Sequence, residues 1–97
     1  MKIIVIDGDK QKSPNDIYEH FSRELGFGPY FGRNADALYD FMVPIDDECQ
    51  PLIVEWRNSF VFKNSYPEEF SMLLSTFNNV AKFYGFKERF FKFNIYR

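Results

Sequence analysis

In the stretch GPYFGRNADALYDFM, Gly28 to Met42, Asp36 and Asp40 stand four residues apart. If the segment is helical that is one turn, and both carboxylates point the same way. Like charges so placed cost a helix about 0.2–0.5 kcal/mol, and no Lys or Arg lies between Asn34 and Glu55 to offset them. Six acids fall in that span (Asp36, Asp40, Asp46, Asp47, Glu48 and Glu55), while the rest of the chain carries eight acids against twelve bases. One contiguous segment thus holds the negative field, which suits a cationic partner. Tyr30 and Phe31 precede it, and Asn34 is a strong helix N-cap. A loop with exposed aromatics leading into such a helix could present carboxylates beside flat rings. To an Arg or Lys cluster a carboxylate resembles phosphate, since both offer paired anionic acceptors. The segment could therefore occupy the phosphate site of a basic enzyme. A solvated acidic loop is the plainer reading of the charge run, and the charges alone leave both open.

Other candidate chemistry is thinner. Asp7 ends the first hydrophobic run, where open α/β sheets place ligands and phospho-accepting carboxylates. No spaced Lys, Ser or Thr set accompanies Asp7 and Glu55, so a turn aspartate is the simpler reading. Gly26 and Gly28 lack the downstream glycine and lysine of a phosphate loop and read as a helix stop. Asp46, Asp47 and Glu48 lack the alternation of a calcium loop. His20 is the only histidine and Cys49 the only cysteine, which excludes an internal disulfide and any multi-Cys/His zinc site. His20 reads as a bystander on a helix surface, and neither a metal nor a cofactor is expected. The C-terminal FKERFFKFNIYR mixes bases with aromatics as nucleic-acid platforms do, and gives a competing hypothesis: a small RNA-binding module using that strand. Phe91, Phe93 and Ile95 alternate as a core strand requires, which favours packing over base stacking.

These residues must be held by a small frame. The 97-residue chain is 45% hydrophobic and 21% aromatic, with thirteen Phe, so one domain over residues 1–97 with a Phe-rich interior is expected. No apolar run approaches a membrane span and the start is too polar for a signal peptide, so a soluble cytoplasmic protein is expected. KIIVID, Lys2 to Asp7, reads as a buried strand. Ser13 and Pro14 open a helix with Ile17, Phe21 and Leu25 on one stripe. ADALYDFM forms a second, short helix with Leu38, Phe41 and Met42 inward, ended by Pro44. QPLIVEW, Gln50 to Trp56, is a second buried strand. Pro67 to Gly85 is the clearest helix, burying Phe70, Leu73, Leu74, Phe77, Val80, Ala81 and Tyr84. Arg89 to Arg97 closes the chain as a third strand, and residues 57–66 carry no assignment. Strands joined by helical crossovers pair in parallel, so the fold class is α/β: a small three-stranded parallel sheet packed with about four helices.

The motif ELGFGPYFGRNADALYDFM followed by PLIVEWR resembles the barstar family, intracellular inhibitors of microbial ribonucleases. That pattern runs aromatic pair, Gly, any residue, Asn, any residue, Asp-Ala-Leu, aromatic, Asp, and later Pro-Leu-x-x-Glu-Trp. The match runs from about Asp16 to Arg57; the flanking elements agree in type and order. The resemblance implies a non-enzymatic inhibitor, an antitoxin or immunity protein whose loop and second helix enter a nuclease active site. Tyr30 and Phe31 would form the aromatic pair, with Tyr30 against the catalytic edge, and Gly32 and Asn34 would lie in the contact loop. Asp36 would meet cations at the rim, and Asp40 would take the place of the substrate phosphate. Tyr39 stands where Trp is usual, and Val43 and Ile45 close the contact segment. Asn79 stands near a contacting Glu position, and Arg33 where an acid is common. The implied partner is a basic ribonuclease or nuclease toxin, bound by a chain that is monomeric when free, with no membrane and no nucleic acid involved.

Overall fold

A computed structural model describes residues 1–44 and 47–97. The elements are β1 (Lys2–Asp7), α1 (Pro14–Leu25), α2 (Ala35–Met42), a short 3-10 turn (Asp47–Cys49), β2 (Leu52–Arg57), α3 (Ser59–Ser65), α4 (Pro67–Phe83) and β3 (Phe91–Ile95). The sheet is parallel throughout in the order β1-β2-β3, with Ile4 opposite Val54 and Val54 opposite Phe93. β1 and β2 are each followed by helices before the next strand, and parallel neighbours need such crossovers.

Local signals set the helix ends. Ser13 accepts from the Asp16 N–H, and Asp16 accepts in return from the Ser13 N–H, a reciprocal box that starts α1. Gly26 ends it in the left-handed conformation, φ 66°. Pro67 opens α4, and Gly85, φ 67°, follows its end.

All four helices contribute to one core. Ile17 and Phe21 of α1, Leu38 and Met42 of α2, Phe62 of α3, and Phe70, Leu73, Phe77 and Val80 of α4 bury with Ile4, Ile6, Leu52, Val54, Trp56 and Phe91. The Trp56 ring lies 5.3 Å from Phe62, 5.1 Å from Phe70 and 6.2 Å from Phe77. Large rings at such spacings are how so aromatic a chain fills its interior.

Several expectations change. β1 is buried on one face only: Ile4 and Ile6 are sealed, while Ile3 and Val5 are 48% and 37% exposed. The shared core stacks against the Ile4–Val54 face, so a continuous apolar run does not here mean two covered faces. Residues 57–66 contain α3, which starts after Asn58 turns the chain at φ 51°. β2 and β3 are shorter than QPLIVEW and Arg89–Arg97. His20 is no bystander: its Nε2 donates to the Val5 carbonyl at 2.8 Å and ties α1 to β1. A carbonyl only accepts, so that nitrogen carries the proton.

Candidate functional site

The contact segment is built on a ring cluster. Beyond Gly26, the loop folds Phe31 inward, 4.9 Å from Phe27 and 5.3 Å from Phe41, with Phe27 and Phe41 5.0 Å apart. Tyr18 meets Phe31 edge-on at 6.3 Å. Phe31 is 7% exposed, so the expectation that it forms part of the contact surface is corrected: it anchors the loop from beneath. Burying a ring of that size removes roughly 2–3 kcal/mol of apolar surface from water, reason enough for one of two adjacent aromatics to turn inward. Its neighbour Tyr30 is then turned out, 92% exposed. Arg33 reaches back from the loop to Glu19 at 3.1 Å.

Next, α2 is fixed at both ends. Asn34 Oδ1 accepts from the Ala37 N–H at 2.8 Å, capping the first turn. The Thr76 hydroxyl of α4 donates to the Ala35 carbonyl at 3.3 Å, and the Tyr84 hydroxyl donates to the Val43 carbonyl. Leu38 and Met42 plant the inner face in the core, with Tyr39 half-buried against it.

On the outer face Asp36 and Asp40 are both exposed. The ion pairs among the described residues are Lys2–Glu24, Arg33–Glu19 and Lys92–Glu88, so neither aspartate has a cation of its own. Their electrostatic settings differ. Asp36 sits in the first turn, where the exposed N–H groups of the helix favour an anion. Asp40 is the sixth of eight helical residues, beside the carbonyl end, where an anion is disfavoured. Of the two, Asp40 is the one the fold compensates less.

Among the remaining sequence-predicted residues, Gly32 and Asn34 are exposed in the loop and Val43 is half-buried at the end of α2. Asn79 is exposed on α4 and lines, with Asp36, Met72 and Thr76, a notch of about 260 Å³ between α2 and α4. Ile45 and Asp46 lie outside the described residues. Glu55 leaves the acidic surface: it is half-buried on β2, and it raises the pKa of the Tyr96 hydroxyl by hydrogen bonding.

The competing sites resolve into structure. Asp7 Oδ1 accepts from the Asp9 N–H at 2.9 Å and from Asn58 Nδ2 at 3.1 Å, which hold its carboxyl below the usual range. It closes the turn after β1 and ties it to Asn58 at the start of α3. In the C-terminal strand Phe91 is 2% exposed and Phe93 lies 5.7 Å from Phe77, so these rings serve the core rather than a stacking platform. Among the described residues no group of three or more His, Cys, Asp or Glu is placed to hold a metal, and no helix is long and apolar enough to cross a membrane.

Residues 1–96 match the model of the family described as Barstar (barnase inhibitor). The chain belongs to the barstar family. Membership extends over the opening strand, the last helix and the last strand, well beyond the loop-helix motif. The role that family membership implies is inhibition of a barnase-type ribonuclease, bound as a protein partner. Sequence reasoning missed the Phe27–Phe31–Phe41 cluster that aims the barstar-family motif here. The available signal was Phe27 and Phe31 on either side of Gly28-Pro29, with Phe41 on the helix that follows, more aromatic surface than an exposed loop would carry.

Proposed function

We propose that this barstar-family chain is an antitoxin or immunity protein that blocks a basic ribonuclease by inserting Tyr30, Gly32, Asn34, Asp36 and Asp40 into its active site. The observation that carries this reading is the pairing of two exposed carboxylates, without cations of their own among the described residues, with a helix fastened at both ends. Such a segment loses little conformational freedom on binding. Asp40 takes the place of an RNA phosphate, meeting an Arg or Lys cluster through paired charge-assisted hydrogen bonds. Asp36 meets cations at the rim, and Tyr30 lies flat against the catalytic edge. Tyr39 and Val43 back the segment from the inhibitor side. The negative field steers encounter, so association slows as salt rises. The inhibitor acts as a monomer, in the compartment where the nuclease would meet cellular RNA, and needs no metal or cofactor.

Growth rescue against a panel of barnase-type ribonuclease toxins tests the reading. Wild type is expected to rescue against at least one toxin. Tyr30→Ala and Asp40→Ala should lose rescue while keeping the wild-type melting temperature or exceeding it. Phe31→Ala should instead lose roughly 3–5 kcal/mol of stability, the usual result of emptying a buried phenylalanine site. Rescue that survives both Asp36→Ala and Asp40→Ala would overturn the proposed plug.

A further inference from the structure

Outside the carboxyl ends of β2 and β3, between α3 and α4, lies a hollow of about 490 Å³. Open α/β sheets hold their ligands at that end, and the volume falls in the range of small-molecule sites. Positions three and four apart share one side of a helix, so α3 turns Phe60, Lys63 and Asn64 toward the hollow together. Phe70 and Leu74, also four apart, face it from α4, and Ile95 and Arg97 border it at the end of β3.

The lining joins unanswered positive charge to apolar surface. Lys63 Nζ lies 5.7 Å from the centroid of the Phe70 ring, and attraction to that ring keeps the ammonium over the wall of the hollow. Neither Lys63 nor Arg97 belongs to the ion pairs among the described residues, and no acidic residue lines the hollow. Ser59 lines it too. That side chain is 3% exposed, and its hydroxyl has no hydrogen-bond partner among the described residues. A hydroxyl taken out of water without a partner costs stability, so a ligand that supplies one is favoured there. Beside these groups Phe60 leaves a ring 49% exposed.

We infer that this hollow binds a small organic anion made of a flat apolar ring and one carboxylate or phosphate. The anionic end meets Lys63 and Arg97 through charge-assisted hydrogen bonds and takes a further one from the Ser59 hydroxyl. The ring packs on Phe60, Leu74 and Ile95, where its apolar surface leaves water. A bare inorganic anion would leave that side wet, and an uncharged ring would leave the two cations unanswered. The hollow shares no residue with the contact segment, so the inference does not depend on the proposed inhibitor function.

Amide NMR shifts of the isotope-labelled full chain test this with phenyl phosphate, 3-phenylpropionate and adenosine 5′-monophosphate as probes. Inorganic phosphate and benzyl alcohol each supply only half of the chemistry. At least one ring-bearing anion should saturate with Kd below about 1 mM, shifting the amides of Ser59, Phe60, Lys63 and Asn64. The tighter of nucleotide and phenylpropionate then tells whether nucleotides or aromatic carboxylates are the source. Each half-probe should bind at least about tenfold more weakly. Lys63→Gln and Phe60→Ala should each weaken binding by about tenfold, with melting temperatures near wild type because both residues are exposed. Both variants should still bind a catalytically inactive form of the ribonuclease neutralised in the growth screen as wild type does. The inference is overturned if none of the three ring-bearing anions saturates, or if inorganic phosphate binds as tightly as they do, which would mean a patch of surface charge only. Binding that ignores both substitutions overturns it as well, and so do shifts produced by an Asp/Glu-rich peptide alone. Loss of the nuclease complex in either variant would place the hollow inside the inhibitor interface and overturn it too. Failure of the wild type to rescue growth would sink the inhibitor reading and leave these titrations unaffected.

Discussion

Replacing Asp40 by Asn should make the free protein more stable and the inhibitor far worse. The substitution keeps size and helix propensity nearly constant and removes one charge. In the folded chain that charge stands one turn from Asp36 and near the carbonyl end of α2. Relief of the like-charge pair is worth about 0.2–0.5 kcal/mol and relief from the helix dipole about 0.3–1 kcal/mol, so roughly 0.5–1.5 kcal/mol in sum. Exposure of Asp40 to water argues for the lower half of that range, about 0.5–1 kcal/mol. In a domain of this size each kcal/mol moves the melting temperature by about 4–8 °C, so a rise of roughly 2–8 °C is expected at low salt. Half a molar NaCl should erase most of it. Asp36→Asn supplies the contrast, because losing its favourable dipole interaction offsets the same relief and leaves stability near wild type. Toward the nuclease, leaving a cationic cleft unanswered should cost about 2–5 kcal/mol, or roughly 30- to 5,000-fold in affinity, a range taken in part from inhibitor complexes of this very family and not worked from this chain. Thermal unfolding at two salt concentrations and titration with the inactive nuclease measure both effects. A less stable Asp40→Asn protein, or one whose affinity stays within about threefold of wild type, refutes the reasoning.

Two other outcomes follow from the frame that holds the site. A Cβ on Gly8 would lie 2.0 Å from the Asn58 carbonyl oxygen, and Asn58 is itself fixed by its hydrogen bond to Asp7. Gly8→Ala should therefore cost about 1–3 kcal/mol or more in urea unfolding while leaving the nuclease affinity of the folded fraction intact. Burial, then the nearby Glu69 carboxylate, pushes the Tyr18 hydroxyl well above its ordinary value of 10.0. The folded state thus favours the neutral phenol, so stability is fully present below pH 10 and falls as pH rises beyond it. Unfolding measured at pH 9 and pH 11 should show a smaller alkaline loss in Tyr18→Phe than in wild type.

The loop-helix site was legible where chemistry is local. Asn34 announces a cap because a side-chain oxygen must meet the first free N–H groups, and it does so at Ala37. Asp36 and Asp40 had to share a side once the segment was helical. Loop residues offer no such period. Nothing in the dipeptide Tyr30-Phe31 says which ring turns inward, and α3 was hidden because its seven residues show no stripe long enough to read.

Order of elements, caps, the Phe-rich interior and the negative segment were determined by the sequence itself, because each depends on residues within a few positions of one another or on composition. Only the tertiary structure decided that Phe31 anchors while Tyr30 projects, that Glu55 is half-buried beside the Tyr96 hydroxyl, and that α4 packs along α2. Those facts depend on contacts between segments some forty residues apart, such as Thr76 with Ala35 and Tyr84 with Val43. Contacts of that range are fixed by how the core closes, and local sequence carries no record of it.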